Sequence, residues 1–304
     1  MASSSRNKII FVPGKNPKPL PAVHRALLWR SLLGGVHQAD PELVAALCAV
    51  QDSFYIAAWN NLYYHQIRAA QEDIPWIDAM LEKSGPDPQD VREARRWRHR
   101  QARWLYGLAD KFPFLISLLP NTVVRNTIRE TERYFGNLDG IGEQVRALIK
   151  APLRTMFADG DRVMVIGHSM GSIIAYDALW ELWHAERNPG RVDLFLTLGS
   201  PLGMQFVQQR LVGFRAAPGR RFPGNIRHWQ NAAAQGDLTA LDRTLKHDFY
   251  PMLEQGLTES IDDLSAGLYT YFRNQDGLNV HRSYGYLAHS QIGRVIAEWW
   301  RAGG

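Results

Sequence analysis

Apolar positions fall into two kinds of run. Residues 8–12 (KIIFV), 54–58 (FYIAA), 163–166 (VMVI) and 191–198 (RVDLFLTL) are short, nearly unbroken and rich in β-branched or aromatic side chains. Runs of that length are too short for helices and lack the alternation of a half-wet strand, so each predicts a strand buried on both faces of a parallel sheet. Between them, apolar residues recur at helical spacing over residues 21–33, 41–50, 131–156 and from 170 onward, with a last helix ending near residue 300. Strands alternating with helices predict an α/β fold with helices packed on a mostly parallel sheet. Shorter strands are expected at 226–229 and near 278–280, and loops at 34–40 and 230–242. Residues 64–130 hold no convincing strand and are too long for a simple loop, which predicts an insertion. Within it, residues 91–108 read as a basic helix with Trp97, Gln101, Trp104 and Leu108 on one face. Residues 112–120 (FPFLISLLP) are apolar and fenced by prolines.

The richest stretch is RVMVIGHSMGSIIAY, residues 162–176. A buried strand runs into Gly167-His168-Ser169-Met170-Gly171, and helical spacing resumes at once. A turn that tight needs glycine on both sides and forces Ser169 into a strained conformation. Its hydroxyl then stands at the sheet edge, beside the positive end of the next helix. A G-x-S-x-G in this strand-to-helix setting resembles the nucleophile elbow of the α/β-hydrolase superfamily, most closely lipase- and esterase-like members whose elbow continues as GHSMGSIIAYD. The likeness is patchy and strongest at residues 8–16, 159–203 and 226–289.

The resemblance implies an α/β-hydrolase fold in one domain, residues 1–304, whose leading antiparallel strands are missing because no strand is visible before residue 8. The insertion at 64–130 would be a helical cap. It also implies a Ser, acid, His order along the chain, with all three at the carboxyl ends of strands. Asp161 and Asp193 stand at strand starts and Asp177 lies inside a helix. Asp237 and Asp242 both follow the strand at 226–229, and the W-x-N…G-D pattern favours Asp237, with Asp242 in reserve. His281, in H-x-S-Y, is favoured over His289, which reads as a helix-start residue; His228 and His247 come too early. The oxyanion hole would be the backbone amides of Lys15 and Met170, with Pro13-Gly14 where the family usually has His-Gly. Asn16, His168 and Leu202 (in GSPLG) are expected to border the substrate, joined by Phe114 and Leu118 of the cap.

The expected activity is cleavage of a carboxylic ester through an acyl-enzyme, without cofactor or metal. The same residues would serve a thioesterase, amidase or acyltransferase, and a catalytically silent binding module is the alternative from another class. Composition narrows little further. The 304 residues are 45% hydrophobic and 21% charged, with a net charge of +5, as in an ordinary globular protein. That charge permits an anionic ligand without requiring one. No nucleic-acid motif and no metal-ligand spacing are visible. No signal-peptide-like or membrane-spanning stretch occurs, so a cytoplasmic location is expected. The arginines around Trp97 could let the cap rest on an anionic membrane. The single cysteine, Cys48 in ALCAV, is expected to be a buried small hydrophobe.

Overall fold

A computed structural model describes residues 6–96, 131–240 and 242–303. In chain order the main elements are β1 (Asn7–Val12), α1 (Pro21–Ala39), β2 (Phe54–Ile56), α2 (Trp59–Tyr64), α3 (Ile74–Leu81), α4 (Pro88–Ala94), α5 (Ile141–Ala158), β3 (Arg162–His168) and α6 (Met170–Trp180). They continue as β4 (Val192–Leu198), β5 (Ile226–Ala232), β6 (Ser260–Leu264), the pair β7 (Arg273–Asn274) and β8 (Gly277–Leu278), α7 (Ser283–Leu287) and α8 (Ser290–Arg301). Strands β1 to β6 form one sheet in the order β2-β1-β3-β4-β5-β6, with every neighbouring pair parallel. The order reverses between β1 and β3, and at such a switch point the loops leaving the carboxyl ends diverge and open a crevice.

Alternate side chains of the same strands feed two cores. Ile10, Val12, Val163 and Val165 pack with α5 and α6 on one face. Ile9, Phe11, Met164 and Ile166 pack with α1, α3 and α8 on the other. This double burial is why the central strands read as unbroken apolar runs.

Several local expectations change. The glycine pair Gly34-Gly35 does not end α1, which continues to Ala39. A Cβ at Gly35 would overlap the Leu287 carbonyl, and one at Gly293 would overlap the Gly35 carbonyl. The glycines therefore let α1 and α8 approach backbone to backbone. The helix expected over 131–156 is two pieces, because Asn137, Asp139 and Gly140 take left-handed conformations before α5 begins. Residues 230–232 belong to β5 rather than to a loop.

Strand β6 (SIDDL) escaped the sequence reading. As an edge strand it has one buried apolar residue, Ile261, while its Asp263 accepts hydrogen bonds from the amides of Leu245 and Lys246 and from the Asn231 side chain. The strand expected near 278–280 is β8, half of a small antiparallel hairpin with β7 and no part of the main sheet. Cys48 is exposed, because the short helix Leu43–Ala49 buries only Leu43 and Leu47.

The described part of the insertion consists of a short 3-10 turn, α3 and α4. Its ties run to the carboxyl edge of the sheet: Asp73 pairs with Arg282, Asp90 with Arg273 (2.7 Å), and the Ala94 carbonyl lies against Gly236. Trp97, Trp104, Phe112, Phe114 and Leu118 lie outside the described residues. Among the described residues, no helix is long and apolar enough to cross a membrane.

Candidate active site

The G-x-S-x-G turn works as steric necessity demands. Ser169 has φ 52° and ψ −128°, a conformation that non-glycine residues hold only when their surroundings force it. A Cβ at Gly167 would lie 2.6 Å from the Ser172 Cα, and one at Gly171 would overlap the carbonyls of Val12 and Pro13. Both glycines are thus places where backbone meets backbone. The Ser169 amide donates to the Leu198 carbonyl (3.0 Å), and the Ser172 hydroxyl donates to the Ser169 carbonyl (2.6 Å) while meeting the Ser200 hydroxyl at 2.7 Å. Met170 opens α6, so its amide has no acceptor within the helix.

The loop after β1 lies directly against this turn. A Cβ at Gly14 would sit 2.9 Å from the Ser169 Cβ and 2.7 Å from the His168 Nδ1. Two side chains at the start of α2 clamp the loop. The Trp59 indole donates to the Pro13 carbonyl (2.8 Å), and the Asn60 amide donates to the carbonyls of Gly14 (2.8 Å) and Asn16 (3.0 Å). Lys15 and Met170 therefore follow residues held on either side of one narrow space. Asn16 is exposed with φ 78°, and it touches the clamp through its backbone. Leu202 is fully buried in the core beside α6, its amide donating to the Ser200 hydroxyl.

Asp237 and His281 come together from loops 44 residues apart. The Asp237 Oδ2 lies 2.8 Å from the His281 Nδ1, and the Tyr286 hydroxyl donates to the same oxygen (2.6 Å). The Thr239 amide donates to Oδ1 (2.8 Å). Gly199, after β4, packs over this junction: a Cβ there would lie 2.7 Å from Oδ2 and 3.1 Å from Nδ1. Burial pushes the Asp237 carboxyl up, but the His281 charge and the hydrogen bonds from His281, Tyr286 and Thr239 outweigh it and hold the group below its ordinary value. The acceptor on Nδ1 holds that proton in place and leaves Nε2 as the basic atom.

His168 is 5% exposed, and its Nε2 lies 2.8 Å from the His281 carbonyl. A carbonyl only accepts, so Nε2 carries the proton and Nδ1 is bare. Burial above all, then the charges of His281 and Lys18, keep His168 neutral well below the usual histidine range. It braces the His281 backbone, and the two rings lie 4.8 Å apart. Among the described residues no hydrogen bond joins the Ser169 hydroxyl to His281; such bonds often tighten only when substrate is bound.

The rejected candidates have other duties. Asp242 turns its Oδ1 to the Thr244 amide and hydroxyl. His289 caps α8 by accepting from the Gln291 amide (3.2 Å), and burial lowers its pKa to about 4. Sequence reasoning missed Tyr286, Ser172, Ser200 and the Trp59–Asn60 clamp. Tyr286 could have been sought one helical turn and a half beyond His281; the others carry no signal until the loops are folded together. Comparison with family models, with curated proteins and with solved structures finds no match to the chain.

Proposed function

We propose that this chain is a serine hydrolase of α/β-hydrolase type that cleaves carboxylic esters through an acyl-enzyme. One observation carries the reading: a serine held at φ 52° in a strand-to-helix turn, at the same sheet edge as a histidine bonded to a buried carboxylate. The six-stranded parallel sheet flanked by helices is compatible with that fold.

In this reading His281 Nε2 takes the proton of Ser169 as its oxygen attacks the ester carbonyl. Asp237 stabilises the imidazolium that forms and keeps its tautomer. The amides of Met170 and Lys15 receive the negative charge on the carbonyl oxygen, each donor lowering the barrier by about 3 kcal/mol. His281 returns the proton to the leaving alcohol, and a water activated by the same base releases the acid. Residues 64–130 would cap this site, excluding water and offering apolar surface to the acyl chain at about 0.8 kcal/mol per buried methylene. The ties of Asp73, Asp90 and Ala94 to the carboxyl edge support that placement for the described half.

The test is covalent labelling with a fluorophosphonate probe. The native protein should label, and Ser169→Ala should fold normally, fail to label and lose hydrolysis of p-nitrophenyl esters. A folded native protein that does not label would remove the reading in favour of a silent scaffold.

A further inference from the structure

The loop that passes Ser169 continues into a cluster of cations. Lys18 forms an isolated backbone bridge with Ile67, and its carbonyl accepts from the Arg68 amide (3.0 Å). This bridge brings Lys18 beside Arg68. Arg282 immediately follows the proposed base. Both guanidiniums are bound to one buried carboxylate, Asp73: Arg68 at 3.1 Å on Oδ1, Arg282 on Oδ2. Arg68 also pairs with Glu72 (2.7 Å).

Lys18 has no such partner. It is half-buried, and among the described residues it makes no ion pair. Its charged neighbours are mostly like-charged: Arg282, Arg68 and Lys15 stand against Asp73, whose two oxygens are already engaged. The field from the first turn of α1 has the same sign. That turn starts at Pro21 with no side-chain cap and no acidic residue. Beneath it His24 is buried edge-on to Tyr284, 6.2 Å away. Burial first, then Arg282, lower the Lys18 pKa to about 7. Withdrawing an ammonium from water among cations costs free energy that Asp73, already shared by two guanidiniums, returns only in part. An anion placed on this ammonium would offset that cost.

We infer that Lys18 anchors a carboxylate carried by the substrate, so that the ester cleaved at Ser169 is a half-ester of a dicarboxylic acid or a similar acidic ester. This rests on the hydrolase reading for its chemistry. The placement rests on the loop: Gly14 touches Ser169 and His168, Asn60 holds residues 14 and 16, and Lys18 follows two residues later. The choice of carboxylate over phosphate follows from what is left to bind it. Phosphate favours a guanidinium with both fork nitrogens available, and each of these guanidiniums already has its Nη2 on Asp73. One ammonium, a point charge, matches a singly charged group.

The test compares mono-p-nitrophenyl adipate with p-nitrophenyl hexanoate, two esters of equal acyl length that differ in the terminal carboxylate. The native enzyme should prefer the adipate by at least about tenfold in kcat/KM, with the difference in KM. Lys18→Met should abolish the preference and Lys18→Arg should keep it. No preference in the native enzyme, or a preference that survives Lys18→Met with the fold intact by circular dichroism, overturns the proposal. A second arm needs no catalysis: calorimetric titration of Ser169→Ala with monomethyl adipate, methyl hexanoate and inorganic phosphate. Binding of the adipate alone, lost in the Ser169→Ala/Lys18→Met double variant, supports the anchor even if the native protein fails to label with fluorophosphonate. Failure of the adipate to bind, or equal binding of hexanoate, overturns the anchor even if labelling succeeds. Stronger binding of phosphate overturns the carboxylate assignment.

Discussion

Asp237 and Asp177 are the same side chain in nearly the same setting, with opposite outcomes. Both are buried to about 1% exposure. Each accepts a tyrosine hydroxyl, Tyr286 for Asp237 (2.6 Å) and Tyr134 for Asp177 (2.8 Å), and each accepts one backbone amide, from Thr239 and Val212. Yet the Asp237 carboxyl is held below its ordinary value, while burial drives Asp177 up to about 7 despite its hydrogen bonds. The main difference is an imidazole in contact with Asp237. Two neutral donors and the Arg146 charge, which is not in salt-bridge contact, do not offset desolvation of Asp177; an imidazole in direct contact does so for Asp237. One pocket keeps a charge in the interior, and the other tolerates a group that need not be charged.

Removing the imidazole or the charge should break the contrast where it matters most. Asp237→Asn should lower ester turnover by about ten-thousandfold and His281→Ala by at least about a thousandfold. Asp177→Asn and Asp242→Asn, assayed with the same p-nitrophenyl ester, should change it little. A large loss in Asp242→Asn with a mild one in Asp237→Asn would move the acid's role.

The second expected effect is on stability and has opposite signs for the two sites. Asp177 keeps its proton in the folded protein up to about pH 7, whereas the unfolded chain gives it up near the ordinary value. The folded state therefore binds more protons between those limits, and stability falls as pH rises through them, by up to about 4 kcal/mol. Asp237 has a lowered folded pKa, so its contribution is present above the unfolded value and is lost as pH falls through the folded one. Urea unfolding from about pH 4 to pH 7 should show Asp177→Asn gaining stability relative to the native chain as pH rises. A gap that stays constant with pH would show that Asp177 is charged in the fold.

The smallest effect comes from the tyrosines. Tyr286→Phe removes a hydrogen bond to a charged group, worth about 1.5–3 kcal/mol, and should lower turnover. Tyr134→Phe leaves an Asp177 that can be neutral, so it should cost about 1 kcal/mol of stability and leave turnover alone. Equal losses of turnover from the two variants would contradict the contrast.

Local patterns along the chain settle what neighbouring residues can enforce. Strand lengths and apolar runs at β1, β3 and β4 announced a parallel sheet, since burial on both faces leaves no polar alternation to confuse the reading. The elbow was legible because its steric demand falls within five residues, 167–171, and glycine is the residue that meets it. Other features depend on contacts that no local pattern encodes. Glycines 34 and 35 read as a break until Leu81 packs on the first and the backbone of Leu287 and Gly293 meets the second. SIDDL gives no strand signal until β5 offers an edge and Asp263 finds its amides. His281 is expected at the end of a short strand, but that strand belongs to a separate hairpin, and the turn after it is held by His168 from behind and by Asp237 from a loop 44 residues away. A hydrogen bond acts over about 3 Å of space whatever the separation along the chain, so the partners of a buried polar group become visible only once the chain has folded.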